Sequence, residues 1–524
     1  YEQEGPAFAR RLRGMFAVAL WDSTRRRLVL ARDRYGIKPL YYRADADKLE
    51  FASELRSLPR GEIDLDALEA FLAFNSIPAP LTIFGEARKL PPGHVLVWED
   101  GNLTLERYAR PAPVPVEELR EDDEAELIEE LRSRLRDSVR AHLLADVPVG
   151  VLLSGGIDSS ALAALAAEES GEPVRTFSIG FEERSFNELA DARLVAERYG
   201  TRHRELVLRP DAALLLPALA DAFDEPFADS SALPTYLVSQ LAAEDVKVAL
   251  SGEGGDELFG GYYTYVADLL AERAGGLATV ARPLVERLPS SSARASFDYK
   301  AKRFVRGAHL PPLERHHAWK EIFSADARAE LTGRRHGFDP VDLYRERFDE
   351  TAGADLLARL QDVDRTIYLV DDLLVKTDRA SMAHSLEARV PFLDPVVTNF
   401  ALALPVRHRV SGLRKKVLLR KAVAPLVPNQ IVRGKKRGFS IPAAAWLRGE
   451  LEPFARETLN ADTLRRQGFF RPEAVTTLID RHVAGKEDLS RQLWGLLAFT
   501  LWYERHVERE PQALREPRLD AIVA

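Results

Sequence analysis

The chain has 524 residues, 46% hydrophobic and 29% charged, which are globular values with room for two or three domains and sizeable cores. Its net charge of −8, from 73 basic against 81 acidic residues, argues against nonspecific nucleic-acid binding as the main task. With no cysteine, the chain has neither a disulfide framework nor a cysteine nucleophile. The N-terminus, Tyr1-Glu2-Gln3-Glu4, has no signal-peptide character and no initiator Met. The longest late apolar run, Leu493 to Tyr503, reads as a core helix too short to span a bilayer. A cytoplasmic protein without membrane or nucleic-acid partners is expected.

Residues 1 to about 108 read as β-rich. Strands are expected at 14–22, 27–32, 40–42, 49–53 and 94–98, the last followed by a hairpin turn at Asp100-Gly101. The charged stretch Arg32 to Leu40 between two of them reads by itself as a solvated loop. Pro111, Pro113 and Pro115, then an acidic run to Glu126, mark a linker and place a domain boundary near residue 115. Leu127, Leu131, Leu135 and Val139 recur every four residues in a strong helix reaching about Ala145. From 146 to about 260 strands alternate with helices: strands at 149–153, 174–181, 204–208 and 246–250, helices at 158–169, 187–199, 211–223 and 233–243. That alternation predicts a doubly wound parallel sheet, whose ligands bind beyond the carboxyl ends of the strands. The remainder, to 524, reads as mostly helical.

Two glycine-rich loops follow buried strands. The first, Ser154-Gly155-Gly156-Ile157-Asp158-Ser159-Ser160, runs from an apolar strand into a helix N-terminus, a ready anion site. No Lys follows the glycines, so this is not a GxxxxGK[ST] loop. Asp158 stands there instead, and a carboxylate beside phosphates needs a cation between them, which implies Mg²⁺. The second loop, Ser251-Gly252-Glu253-Gly254-Gly255-Asp256-Glu257, holds more glycines and acids than a turn requires. Asp158 and Asp256 could then share Mg²⁺ on the phosphates, with Glu253 left to orient a substrate or nucleophile.

Two further stretches are weaker by themselves. Asp371 to Ala383 reads as a helix whose mixed charges form a solvated face, followed by a loop to Asp394 in which His384 is a packing residue. Arg433-Gly434-Lys435-Lys436-Arg437-Gly438 suits a mobile loop that closes over negative charge. A lysine there would stabilise charge developing on leaving pyrophosphate. The histidines show no zinc-like spacing, and no structural metal is expected.

SGGIDSS resembles the pyrophosphate loop, SGGxDS, of the ATP pyrophosphatases. Together with GMFAVALWD, RDRYGIKPLYY, SGEGGDELFGGY, LEARVPFLD and KKRGFSIP, it makes nearly the whole chain resemble the glutamine-hydrolysing asparagine synthetases. The resemblance implies two domains. Residues 1–115 would be the C-terminal part of an Ntn-type class II amidotransferase. Residues 116–524 would be an ATP-pyrophosphatase domain with its sheet at about 146–260. It implies that aspartate attacks the α-phosphate of ATP to give β-aspartyl-AMP and pyrophosphate, and that ammonia from glutamine then displaces AMP. By motif, Ser154, Gly155, Gly156, Asp158, Ser159 and Ser160 would hold pyrophosphate, and Leu152, Ile179, Ser251 and Gly252 would line the adenosine pocket. Asp158 and Asp256 would bind Mg²⁺, and Glu253 would serve the adenylate step. Lys436 would be the catalytic lysine, with Lys435 one register away. Arg379, Glu387 and Arg389 would lie near the aspartate. A homodimer is a further possibility in this family.

The family's N-terminal catalytic Cys and glutamine-binding loops would lie upstream of Tyr1, so either a truncated record of a full enzyme or an enzyme using free ammonia is expected, the former preferred. A half-domain would expose a sheet edge. Two alternatives remain at this stage. One is the same chemistry on another carboxylate, as in a β-lactam synthetase-like cyclase or a pathway-specific amidotransferase. The other is an ATP-binding regulatory subunit without catalysis.

Overall fold

The structure is a computed structural model that describes residues 1–45, 47–183, 185–209, 215–287, 297–434 and 440–508. It is mixed α/β, with a β-rich N-terminal part, a central parallel sheet and a helical C-terminal part. Seven strands form the first part: β1 (Ala17–Asp22), β2 (Arg27–Arg32), β3 (Tyr41–Ala44), β4 (Leu49–Ala52), β5 (Ala87–Lys89), β6 (His94–Glu99) and β7 (Asn102–Arg107). They make two antiparallel sheets, ordered β1-β2-β6-β7 and β4-β3-β5. Asp100 and Gly101 both take positive φ, as a tight hairpin between β6 and β7 requires. The outer strands β1 and β7 leave Trp21, Leu103 and Leu105 exposed.

The central sheet is all parallel: β8 (Val149–Leu152), β9 (Arg175–Phe181), β10 (Arg202–Leu208), β11 (Val248–Leu250) and β12 (Glu387–Arg389), in the order β10-β9-β8-β11-β12. The chain winds outward from β8 to β10, then returns to lay β11 on the other side of β8. β8 and β11 therefore flank the point where strand order reverses, the crevice in which such sheets bind ligands. Their register is level, with Val248 opposite Val149 and Leu250 opposite Val151. Both glycine-rich loops thus leave the sheet side by side.

The helix Ile157–Glu169 is buried along most of its length, including Ala161 through Ala166. The helix Glu124–Leu143 covers it with the fully buried Leu127, Leu131, Leu135 and Val139. Gly200 closes the helix Leu189–Tyr199 in the left-handed conformation. Ser490–Tyr503 is a buried core helix. The helix expected at 211–223 is described only at Leu216–Ala222, its first residues lying outside the described ones.

Two expectations are corrected. The loop after residue 383 contains β12, a fifth strand at the sheet edge. Its three residues carry two opposite charges, so no apolar run announces it, and only pairing with β11 defines it. The stretch Arg32 to Leu40 is not solvated. Asp33, fully buried, accepts backbone N–H groups from Phe16, Tyr35, Ile37 and Lys38, and the Arg32 guanidinium donates to the carbonyls of Gly36, Lys38 and Leu90. The turn satisfies its own charges and docks on the helical part, where Lys38 pairs with Asp378 at 2.8 Å and Tyr35 bonds Thr398.

Candidate active site

A cavity of about 1640 Å³ opens at the carboxyl ends of β8, β9 and β11. Leu152, Ser154, Gly155, Gly156, Asp158, Ser159, Ile179, Ser251, Gly252, Glu253 and Asp256 all line it. In the first loop the Ser159 hydroxyl accepts the Ser154 N–H at 3.1 Å and donates to the Gly156 carbonyl at 3.2 Å, which braces the turn from inside. Gly155 sits at φ +74°, and a Cβ there would stand 2.8 Å from the Glu188 carbonyl oxygen, so only glycine fits. The second loop packs directly on the first. A Cβ on Gly252 would lie 3.2 Å from Asp158 Cβ, and one on Gly255 would lie 2.8 Å from Asp158 Oδ1.

This contact brings Asp158 and Asp256 together around a residue the sequence reading missed. Lys416 Nζ lies 2.5 Å from an Asp158 oxygen and 2.7 Å from an Asp256 oxygen. Its backbone is left-handed, at φ 52°, just before the helix Val417–Val423. Burial lowers the pKa of its ammonium, and Asp158 pulls the other way. Beside it Lys415 donates to the Gly261 carbonyl at 2.9 Å and rests over the Tyr263 ring; burial, then the charges of Lys416 and Arg420, bring it down to about 7. Arg420 also lines the cavity and holds the carbonyls of Val432 and Gly434. Three cations at 415, 416 and 420 were the available signal. Periodicity alone could not tell them from a solvated helix start.

Glu253 is held from two sides, accepting from the Ser251 hydroxyl and from Thr377 Oγ1, the latter at 3.0 Å. Thr377 belongs to the helix Val375–Met382, which continues the π-wound segment Asp364–Leu374. The mixed charges of 371–383 are therefore not a solvated face: Asp371, Asp372, Lys376, Asp378 and Arg379 are all buried. Asp372 and Lys376 face the cavity, whereas Asp371 accepts the Ala79 N–H and Asp378 pairs with Lys38, both from the N-terminal part. His384 packs edge-on against Tyr236, and burial brings its imidazole down to about 4.

Several expected site residues lie elsewhere. Ser160 is fully buried inside its helix, one residue round from the cavity-facing Ser159. Arg379 reaches away from the cavity to Asp224 at 2.9 Å and to the Ser53 carbonyl at 2.8 Å. Glu387 and Arg389 bond each other on β12, and Arg389 also bonds the carbonyls of His142 and Leu144. None of these three lines the cavity, because the alternation of edge strand β12 and the turn of the helix carry them outward. Lys435 and Lys436 lie outside the described residues, while Gly434 and Ser440 on either side both line the cavity.

The chain matches the Asparagine synthase family over residues 130–504 and the Glutamine amidotransferase domain over residues 1–109. It belongs to the asparagine synthase family. It is 35% identical to Asparagine synthetase [glutamine-hydrolyzing] 1 of Bacillus subtilis (strain 168), over 97% of this chain and 80% of that one. It is 29% identical to Asparagine synthetase [glutamine-hydrolyzing] 3 of the same strain, over 82% and 67%. It is also 28% identical to Amidase chry2 of Gibberella zeae, over 94% and 78%. The family makes this chain a ligase that forms an amide with ATP as substrate. No helix among the described residues is long and apolar enough to cross a membrane.

Proposed function

We propose that this ligase adenylates the side-chain carboxylate of L-aspartate. A carboxylate oxygen attacks the α-phosphorus of ATP and pyrophosphate leaves; ammonia, free or drawn from glutamine, then attacks the acyl carbon and AMP leaves, giving L-asparagine. The observation that carries the reading is the pair of level glycine-rich loops at the strand-order switch, both lining one cavity, with Glu253 of the second loop fixed there by Thr377. The first loop offers a helix N-terminus to phosphate. Leu152, Ile179, Ser251 and Gly252 suit an adenosine pocket, and Lys415, Lys416 and Arg420 add positive charge at the same end.

Asp158 and Asp256 fit Mg²⁺. Two carboxylates plus phosphate oxygens are the usual donor set for that ion, and a cation, the Lys416 ammonium, already stands between them. When bound, Mg²⁺ would neutralise the phosphate charge. Glu253, fixed by Ser251 and Thr377, would orient the attacking carboxylate. Lys436 or Lys435 would contact the leaving pyrophosphate.

The kinship to a protein named Amidase chry2 supports a second reading, the same chemistry on another carboxylate. The test is pyrophosphate release from ATP, Mg²⁺ and ammonia with and without L-aspartate. Release that does not depend on aspartate but does depend on another carboxylate moves the protein to the second reading.

A further inference from the structure

The helix Val375–Met382 carries four consecutive buried residues, Lys376 to Arg379, whose side chains go to different neighbours. Lys376 donates to Asp229 at 2.9 Å and to Ser231 at 2.8 Å, both of which line the cavity. Thr377 Oγ1 donates to Glu253 Oε1 at 3.0 Å. Asp378 accepts the Lys38 ammonium at 2.8 Å. Arg379 donates to the Ser53 carbonyl at 2.8 Å and pairs with Asp224 at 2.9 Å. Successive side chains on a helix point about 100° apart, so one turn can face the cavity and the N-terminal part at once.

Lys38 reaches this turn from a loop with little freedom. Its N–H is bonded to the buried carboxylate of Asp33, and its carbonyl accepts the Arg32 guanidinium. The Asp378 side chain that it meets is 8% exposed. A buried carboxylate stripped of its cation is driven toward water. For Asp378 that motion rotates the turn and carries Thr377 away from Glu253. Glu253 then keeps only the Ser251 hydroxyl of the two groups that fix it.

We propose that Lys38, in the N-terminal part, is a positioning residue for amide formation: through Asp378 and Thr377 it fixes Glu253 in the cavity. The N-terminal part thus serves the ATP-dependent reaction directly, whatever the source of ammonia. The assignment rests on the adenylation reading, in which Glu253 orients the attacking carboxylate.

The test is pyrophosphate release by the full chain with ATP, Mg²⁺, L-aspartate and ammonium chloride, without glutamine. Lys38→Met lowers kcat by about tenfold or more, because a misplacement of about 1 Å near a reacting group costs about 10²-fold. Half-saturation by ATP stays within about twofold, since the bonds within the first glycine-rich loop are untouched. Lys38→Arg keeps a cation for Asp378 and returns kcat to within about threefold of the parent. Arg13→Ala breaks a different bridge between the same two parts, to Asp394 at 2.8 Å, and leaves kcat unchanged. In a Thr377→Val background, already without the bond to Glu253, Lys38→Met costs less than about twofold, whereas independent effects would multiply. Asp378→Asn removes the same pair from the other side and supplies the comparison should Lys38→Met not fold. A Lys38→Met variant as active as the parent overturns the proposal. So does a full loss in the Thr377→Val background, no recovery in Lys38→Arg, or an equal loss in Arg13→Ala. With an active parent these outcomes leave adenylation standing; a parent that releases no pyrophosphate with any carboxylate overturns adenylation and this inference together.

Discussion

Replacing Lys416 by Met tests the charge arrangement at the centre of the cavity. Its side chain is 3% exposed, against 18% for Asp158 and 15% for Asp256, and its ammonium is within hydrogen-bond distance of both. Removing one partner of a buried ion pair costs about 3–5 kcal/mol. Here the carboxylates open on a cavity, and burial lowers the lysine pKa despite Asp158, so the lower end, about 3 kcal/mol, applies. At about 2.1 cal/mol/K of unfolding entropy per residue, a chain of 524 residues shifts by about 1 °C per kcal/mol, so the apparent Tm falls by about 3 °C. The variant also leaves two facing carboxylates with no internal cation. Millimolar MgCl₂ without nucleotide therefore restores most of the loss, whereas the parent, whose ammonium already holds that position, shifts much less. Melting is followed by circular dichroism at one fixed scan rate. A variant that melts like the parent, or that ignores Mg²⁺, refutes both the counter-ion role of Lys416 and the pairing of Asp158 with Asp256 as a cation site.

Other perturbations reach the site from different sides. A Cβ at Gly261 would lie 1.7 Å from Asp256 Oδ1 and 2.4 Å from Lys416 Cε, so Gly261→Ala displaces both groups. Pyrophosphate release then drops by about 10²-fold, the usual cost of a misplacement of about 1 Å, in a protein that still folds by circular dichroism. Arg379→Ala breaks a buried pair with Asp224 and lowers stability by about 3 kcal/mol in urea unfolding, while half-saturation by L-aspartate stays put. A raised half-saturation with unchanged stability would return Arg379 to the acceptor. Lys415 has a folded pKa of about 7, below the ordinary 10.5, so the unfolded chain binds more protons between those values and stability rises with pH across that window. The burial penalty is full below pH 7. Lys415→Met therefore gains most Tm over the parent there and loses the advantage above pH 10.5; a gain that does not change with pH refutes the assignment.

The strands around the site were legible because each carries its own signal. Val149 to Leu153 is an apolar run and Val246 to Leu250 is one but for Lys247; each is followed by a serine and then glycine, and those glycines have no structural use except to turn sharply or let another backbone approach. Helix periodicity likewise foretold the buried Leu127, Leu131, Leu135 and Val139. What the linear chain could not contain was which side of a charged segment meets which neighbour. Lys38, Asp371, Asp378 and Arg379 look like surface charges until the N-terminal part packs on the π-wound segment and the helix after it, which bear the last three. β12 exists only because β11 offers it an edge. Lys416 stands between two aspartates from loops more than a hundred residues away in sequence. Local propensity and apolar patterning decide segments one at a time; the pairing of buried charges is decided by long-range packing, which alone brings each of them its counter-charge.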